Sequence, residues 1–272
     1  MTETTALDLA HAAMDAAPED NAARLRFYHR LADSELFLLL SAEPDGEDIA
    51  PQVFRLEEGA FVAVFDREER LAAFCDAPAP YAALPGRVIA AQLAGQGVGL
   101  ALNLAVAPSA YLLPAGAVDW LARTLRQGPG RAEAGQAPRP ESFAAPNDAA
   151  PELSDELAAK LRGFAAFAKG AGLVQADRGD GSQSLLLVFL GAAPAAEPAL
   201  AKAVAEALAF SGVDAALDVA FLPADDPAAD AVRRVARMFD LSGSTPADSP
   251  PARPVPAEPP VPNLRGYRQR DT

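Results

Sequence analysis

The sequence contains one cysteine, Cys75, in 272 residues. A single cysteine cannot form an internal disulfide, and its scarcity is typical of proteins that work in a reducing compartment. The chain also lacks any apolar run close to the roughly 20 residues that a membrane-spanning helix requires. Its first segment, 1–20, is acidic and helical in pattern, whereas a secretion signal is first cationic and then apolar. Together these absences predict a cytoplasmic protein.

Positive charge is scarce as well. The chain has 23 basic and 37 acidic residues, which gives a formal net charge of −14. Such an excess of negative charge opposes non-specific binding to nucleic acid and to anionic lipid surfaces. We therefore expect neither nucleic acid nor a membrane as a partner. Only the far end of the chain is basic on balance, where the segment NLRGYRQR carries three arginines.

The residue types of common active sites are few and scattered. The chain has two histidines, His11 and His29, and no Gly-x-Ser-x-Gly elbow of the serine hydrolases. The glycine-rich stretch 95–99 precedes an apolar strand pattern, whereas a dinucleotide-binding loop follows a strand and opens a helix. Cys75 follows an apolar run, which favours a buried and inert thiol. No catalytic residue, cofactor or metal ligand is therefore assigned.

Composition divides the chain into two domains, a linker and a tail. Helix and strand patterns alternate through residues 1–127 and again through residues 151–240. Residues 128–150 between them have no periodicity and several Pro and Gly, which is typical of a linker. Residues 241–272 are polar and rich in proline, which predicts a disordered tail.

The first domain combines strands that are adjacent in sequence with strands separated by helices. ELFLLL, QVFRL and FVAVF have strand patterns, and Glu57–Gly59 forms a hairpin turn between the last two. Helical spacing follows in GRVIAAQLAG, then two strand patterns in VGLALNLA and SAYLLP, and a closing helix in AGAVDWLARTL. This order predicts an α/β fold of the α+β-like kind, with a mixed sheet flanked by helices rather than a purely parallel one.

The second domain repeats this theme on a smaller scale. LSDELAAKLRGFAAFAKGAG and PALAKAVAEALAF have helical spacing, and SLLLVFLGA and ALDVAFLPA read as buried strands. Asp226 followed by Pro227 predicts the start of a last helix, with the cap first and proline at the first helical position. We therefore expect a second mixed sheet flanked by helices.

A dense group of charges, Asp66 to Arg70, lies between two apolar runs. FVAVF before it is a strand pattern, and Asp66 with Glu69 three residues later matches a capping box. In that arrangement Arg67 and Arg70 point to solvent. A catalytic pair of carboxylates would instead need a pocket and one raised pKa. We interpret the charges as a helix start rather than an acid/base site.

Asp8, His11 and Asp15 fall on one face of the first helix pattern, where they could form part of a metal site. Metal sites recruit more ligands than these, and no second histidine accompanies them on that helix. An exposed polar helix face is therefore the preferred interpretation. His29 lies at the border of an apolar stripe, and we expect it to pack there as a neutral ring.

Three segments, RFYHRLADSELFLLL, FVAVFDREERLAAF and GVGLALN, together resemble the SseB family, which is named for enhanced serine sensitivity. The elements that carry the similarity are Phe27-Tyr28, Phe65 to Leu71 and Gly97 to Asn103. The resemblance covers about residues 21–127, and residues 151–240 are similar to the family's C-terminal domain more loosely. It implies a two-domain fold. The family has no established reaction, so the resemblance implies no catalytic residues.

The chain departs from the family pattern at one place. The resemblance leads us to expect a Pro-Gly-like turn after Asn103, but Leu104 and Ala105 follow instead. The conformation of the loop after this strand is therefore an open question at the level of sequence.

Three classes of function are compatible with these observations. The first is a non-enzymatic adaptor or regulatory protein that meets a protein partner through its tail or a sheet edge. The second is a small-molecule sensor for an amino acid or a related metabolite, as the family name suggests. Its distinguishing feature would be a buried polar pocket between helix and sheet. An enzyme with a carboxylate-based site ranks last.

The tail contains a candidate docking motif. Its prolines favour an extended polyproline conformation, and apolar and aromatic residues stand among arginines near its end. The alternative is a tail that only improves solubility. The candidate partner-binding residues are Leu264, Arg265, Tyr267, Arg268 and Arg270.

Overall fold

The computed structural model describes residues 4–44, 49–75, 77–127, 140–146, 151–179 and 182–242. These residues form two compact units, divided after Gln127. Each unit contains a mixed β-sheet flanked by helices, which confirms the predicted fold class. None of the helices in these ranges combines the length and the apolar character that crossing a bilayer requires.

The first unit is built on a mixed sheet with the strand order β4-β1-β3-β5-β6, and β2 also pairs with β3. Strands β3 and β5 are parallel, and the other pairs are antiparallel. Its strands are β1 (Glu35–Leu39), β2 (Val53–Leu56), β3 (Gly59–Phe65), β4 (Tyr81–Pro85), β5 (Val98–Leu102) and β6 (Tyr111–Leu113). Its helices are α1 (Ala6–Ala16), α2 (Asn21–Asp33), α3 (Glu68–Phe74), α4 (Gly86–Leu93) and α5 (Ala115–Arg126).

The predicted strands and helices of this unit are confirmed, with one addition. Strand β4, which the sequence analysis does not predict, pairs with β1 along its whole length. Its sequence YAALP contains no β-branched residue and ends in proline, so local propensity gives no signal for it. The pairing with a buried neighbour therefore decides its conformation.

The middle of the sheet is the core of the unit. All five residues of β5 are buried, as are the last five of β3, because helices cover these central strands. A strand buried on both faces reads as a continuous apolar run, which is why VGLAL and FVAVF show no alternation. The side chains of Phe61 and Phe65 are among the largest that are fully buried.

Gly99 lies where two strands and an aromatic ring approach closely. A Cβ atom at this position would lie 2.4 Å from the backbone oxygen of Leu113 and 2.6 Å from a ring carbon of Phe61. Both neighbours belong to the packed sheet, so neither can move away without disturbing strand pairing. The second glycine of GVGLALN is therefore required by packing rather than by chemistry.

The loop after β5 contains two residues with left-handed backbone. Asn103 has φ of 48° and Ala105 has φ of 59°. Asparagine tolerates this conformation, whereas the Cβ of alanine makes it costly. Ala105 therefore occupies a position that favours glycine. The loop after Asn103 thus turns with left-handed backbone even though Leu104 and Ala105 replace the expected Pro-Gly-like pair.

The second unit has the strand order β10-β9-β8-β11, and β7 also pairs with β8. Strand β10 is parallel to β9, and the remaining pairs are antiparallel. The strands are β7 (Ser142–Ala144), β8 (Gly170–Asp177), β9 (Gln183–Leu190), β10 (Leu217–Leu222) and β11 (Arg237–Phe239). The helices are α6 (Pro151–Leu161), α7 (Glu197–Ser211) and α8 (Pro227–Val235).

Helices cover both faces of this second sheet. Leu187 and Phe189 of β9 belong to a cluster with α6 and α7, whereas Leu186 and Val188 belong to a cluster with α8. This arrangement explains the unbroken apolar run of β9. The Asp226 side chain accepts a hydrogen bond from the Ala228 backbone, which confirms the predicted start of α8.

The structure adds residues to the second unit on both sides of the predicted range. Strand β7 lies within the segment that the sequence predicts as a linker. Leu241, which the sequence analysis places in the tail, is 6% exposed in the core, and its carbonyl accepts hydrogen bonds from Gly163 and Ala165. The rest of the predicted tail, residues 243–272, lies outside the described residues.

We expect Gly99→Ala to lower the free energy of unfolding of the first unit by about 1–3 kcal/mol, because the added methyl group overpacks the sheet. Urea unfolding followed by the fluorescence of Trp120 measures this unit, since the chain has one tryptophan. Gly116→Ala in α5 is the matched control, because a Cβ there meets nothing within 4 Å. Equal stability of the two variants would contradict the packing argument.

Ala105→Gly should stabilise the first unit by up to about 1 kcal/mol, because glycine adopts a positive φ without steric cost. The same urea experiment measures the change. Ala110→Gly provides the control, since Ala110 is also exposed in this loop but has no positive φ. The control should be slightly destabilised, and a loss of stability in both variants would show that Ala105 is not strained.

Candidate functional site

A group of polar side chains meets at one end of the first sheet. Strands β3 and β5 are parallel, so their carboxyl ends lie at the same edge, where Asp66 follows β3 and Asn103 lies just after β5. The start of α1 and the first turns of α3 reach the same place. We call this group the buried polar cluster; its members are Thr5, Asp8, Asp66, Arg70, Asn103 and Ser109.

Arg70 is at the centre of the buried polar cluster. Its guanidinium donates from Nη1 to Asp8 Oδ1 at 2.9 Å and from Nη2 to Asp8 Oδ2 at 2.5 Å, a two-point contact. Nη1 also donates to Asp66 Oδ1 at 2.8 Å. The side chains of Arg70, Asp8 and Asp66 are 3%, 7% and 4% exposed. One cation is therefore shared by two carboxylates away from solvent.

Neutral groups complete the coordination of the two carboxylates. Ser109 Oγ donates to Asp8 Oδ1 at 2.5 Å, and Asn103 Nδ2 donates to Ser109 Oγ at 2.9 Å. The Thr5 hydroxyl donates to Asp66 Oδ2 at 2.6 Å. The Asp66 backbone N–H donates to Asn103 Oδ1 at 3.2 Å. Each buried acceptor thus has a partner, which is what makes the burial of charge tolerable.

A capping box at the start of α1 positions Asp8. Thr5 is the N-cap, its side chain accepts from the Asp8 N–H, and the Asp8 carboxylate accepts from the Thr5 N–H at 2.9 Å. The negative charge lies in the first turn, where the helix dipole favours it. The same carboxylate therefore stabilises its own helix and binds Arg70 and Ser109.

The buried polar cluster shifts the pKa of its central groups. Burial alone would raise the pKa of the Asp8 carboxyl, but hydrogen bonds from Arg70, Ser109 and the Thr5 backbone outweigh it and hold that pKa well below its usual range. Hydrogen bonding to Asp8 raises the pKa of Arg70. Asp8 therefore stays ionised throughout the physiological pH range and is a weak proton acceptor.

The predicted capping box at Asp66 is wrong. Helix α3 begins at Glu68 with Arg67 as the N-cap, and no side chain caps it. The Asp66 side chain instead binds Arg70 and Thr5. Arg70 is buried rather than exposed to solvent, because it pairs with an acid 62 positions away in the sequence. Spacing within the helix cannot reveal such a partner.

The prediction that Asp8, His11 and Asp15 form an exposed polar face of α1 is wrong for two of the three residues. Asp8 and His11 are buried, whereas Asp15 is 69% exposed. His11 packs edge-to-face against the rings of Phe27 and Tyr111. Because Asp8 is bound to a guanidinium and not to a neighbouring histidine, the three residues do not converge as metal ligands.

The other residues singled out from the sequence either pack against neighbouring side chains or lie outside the described part of the chain. His29 is buried and lies 3.6 Å from Asp33, measured between Nε2 and Oδ2. Cys75 is half-buried against an apolar cluster that includes Phe65 and Leu71. The candidate docking residues are not among the described ones; they are Leu264, Arg265, Tyr267, Arg268 and Arg270.

The composition of the buried polar cluster limits what it can do chemically. A guanidinium between two carboxylates repels a metal cation from the place where the acids would bind it. The Ser109 hydroxyl donates to a carboxylate of low pKa, which cannot act as an effective base toward it. The arrangement is suited to binding a carboxylate, and in this structure the carboxylate is that of Asp8.

We expect Asp8→Asn to destabilise the first unit by about 3–5 kcal/mol near neutral pH, because it leaves Arg70 only partly compensated. The folded pKa of Asp8 lies below the unfolded value of about 3.9. Its stabilisation is therefore present above about pH 4 and is lost as the pH falls further. The unaltered chain should lose stability in acid more steeply than the variant.

Urea unfolding with Trp120 fluorescence between neutral and acidic pH measures both effects. Asp15→Asn is the matched control, because Asp15 lies on the same helix and its side chain is exposed. It should change the stability at neutral pH and the slope in acid far less than Asp8→Asn does, because its contact with His11 Nδ1, at 3.7 Å, is largely open to solvent. A similar acid slope in the unaltered chain and in Asp8→Asn would disprove the assigned role of Asp8.

One part of the chain matches a known protein family. Residues 9–120 match the family model described as SseB protein N-terminal domain. No protein of curated function and no solved structure matches the chain. The similarity of residues 151–240 to the family's C-terminal domain stays a prediction. The match over residues 9–120 supports the resemblance of the first domain to the SseB family.

Proposed function

We propose that this protein is a non-enzymatic, cytoplasmic binding or regulatory protein of the SseB type that acts as an adaptor for a protein partner. The observation that supports the proposal is that the acidic and hydroxyl groups of the buried polar cluster are already engaged within it. Arg70 binds both carboxylates, Ser109 donates to Asp8, and all of these side chains are buried, with Ser109 fully inaccessible. A reactive site needs a group that substrate can reach, so this arrangement supports binding rather than catalysis.

The partner would meet either the tail or the edge of a sheet. Leu264 and Tyr267 among three arginines supply an apolar anchor and positive charge on an otherwise acidic chain. Strand β10 is the alternative, because among the described residues it pairs only with β9. The negative charge of the rest of the chain supports a protein partner over nucleic acid or membrane.

Affinity capture from the native cytoplasm tests the adaptor role with three proteins. The first is the full-length chain, and the second ends at Ser242, which keeps Leu241 in the core. The third is a full-length chain in which the five candidate docking residues are alanine. It is the matched control for the truncation, because it keeps the length and the prolines of the tail.

We expect one partner to be enriched on the full-length chain and lost from both altered proteins. Such a partner would bind the purified full-length chain and not the alanine variant. Retention by all three proteins would place the binding surface on the folded units, with β10 as the first candidate. Failure of every protein to enrich a partner would contradict the adaptor proposal.

A second candidate function is a small-molecule sensor, and a specific observation favours it. The distinguishing feature expected of a sensor is a buried polar pocket between helix and sheet. The buried polar cluster lies between α1, α3 and the ends of β3 and β5, which is such a location. A ligand of such a sensor would bind Arg70 and Ser109 in competition with Asp8 of α1.

A further inference from the structure

The surroundings of the Asp8 carboxylate are those of a bound anion. It accepts from Arg70 Nη1 and Nη2 and from Ser109 Oγ, and these donors lie 62 and 101 positions away in the sequence. Apart from the Thr5 N–H of its own capping box, its hydrogen-bond donors therefore belong to other elements. A two-point guanidinium contact with one added hydroxyl is a common way for proteins to recognise a carboxylate.

We propose that Arg70 and Ser109, held in place by Asp66 and Asn103, form a carboxylate-binding cradle that α1 occupies with Asp8 as an internal ligand. The external ligand of this cradle is a small organic carboxylate, and its binding displaces α1. This inference rests on the sensor as proposed function, and it is independent of the adaptor proposal.

The cradle is organised without the help of Asp8. Asp66 binds Arg70 Nη1, which fixes the guanidinium and leaves Nη2 directed at Asp8. Asn103 donates to the oxygen of Ser109, so the hydroxyl proton of Ser109 is free to point at the carboxylate. Arg70 belongs to α3, and Asn103 and Ser109 belong to the loop between β5 and β6. Asp66 follows β3 and also accepts from Thr5 at the start of α1. A carboxylate that replaced Asp8 would therefore find its donors already oriented.

The guanidinium also keeps an unused donor. Among the described residues, Arg70 Nε is buried and has no hydrogen-bond partner. An unpaired N–H in such a place is costly, and most buried donors are satisfied. Asp8 thus leaves one donor of Arg70 unpaired, so it is not a fully complementary ligand for this guanidinium.

Helix α1 is an element that could leave without breaking the sheet. It is not part of the sheet, and it packs against α2. Its buried residues are Leu7, Asp8, His11 and Met14, so only two of the four are aliphatic. Leu9 is 64% exposed. The contact of Asp8 with the cradle therefore holds α1 together with the burial of Leu7 and the packing of His11 against Phe27 and Tyr111.

Formate tests the cradle, because it is a carboxylate small enough to fill the space that Asp8→Ala vacates. Urea unfolding of the full-length variant is followed by Trp120 fluorescence, with sodium formate compared with sodium chloride at equal ionic strength. We expect formate to stabilise the variant in a saturable way. At ten times the half-saturating concentration, the unfolding constant should fall roughly tenfold.

Three matched proteins show whether the response belongs to the cradle. The unaltered chain should be stabilised by formate much less than Asp8→Ala, because formate must displace Asp8 in order to bind. Asp15→Ala removes an exposed acid from the same helix and should behave like the unaltered chain. Adding Ser109→Ala to Asp8→Ala should weaken the formate response, because one of the donors is lost.

Displacement of α1 is tested on the unaltered chain. Amide hydrogen exchange of residues 6–16 is measured during titration with sodium acetate and, in parallel, with sodium chloride. We expect exchange in this helix to accelerate in acetate and not in chloride, while exchange in β3 and β5 stays slow. Equal exchange of α1 in both salts would overturn the displacement of α1.

The formate experiment has defined outcomes even if Asp8→Ala folds poorly. Recovery of its folding by formate and not by chloride supports the cradle. Absence of a specific formate effect, or an equal effect on Asp15→Ala, overturns it. A variant that stays unfolded at every formate concentration overturns it as well. A formate response of Asp8→Ala with equal exchange of α1 in acetate and chloride would support the cradle and contradict the sensor role, so the two failures are distinguishable.

Discussion

The structure of the first unit depends on one buried guanidinium shared by two carboxylates. Transferring Arg70, Asp8 and Asp66 out of water is expensive, and their mutual attraction offsets the cost only when the geometry and the surrounding hydrogen bonds are complete. Arg70 thereby ties together the start of α1 and the turn after β3, and Asp8 extends the connection to Ser109 in the loop after β5. Loss of one member would leave the others charged and buried, so these three segments must be placed together.

The stretches that resemble the SseB family are the ones that build this arrangement. Gly99 allows β5 to approach its neighbours, Asn103 directs Ser109, and the segment after β3 supplies Asp66 and Arg70. The family match begins at residue 9 and so contains the cradle residues, whereas Asp8 lies just before it. In this chain the segments that resemble the family therefore supply the residues that surround the Asp8 carboxylate, and α1 supplies Asp8.

The two proposed functions use different parts of the molecule. The adaptor role depends on the basic end of the tail or on β10 of the second unit, and the sensor role depends on the end of the first sheet. Displacement of α1 would expose the apolar side chains of Leu7 and Met14 as well as the cradle. A small carboxylate could therefore change the surface that the first unit presents, which gives a physical basis for regulation by a ligand.

The sequence by itself determined the fold class and most of the helices and strands, because apolar periodicity is a pattern of residues a few positions apart. It also contained no recognisable catalytic motif. It gave no signal for β4, whose conformation comes from pairing with β1. It also placed Arg70 in solvent and Asp8 on an exposed face, since the pairing that buries them joins residues 62 positions apart. Only the tertiary structure could decide this, because the energy of a buried charge depends on partners that local spacing does not contain.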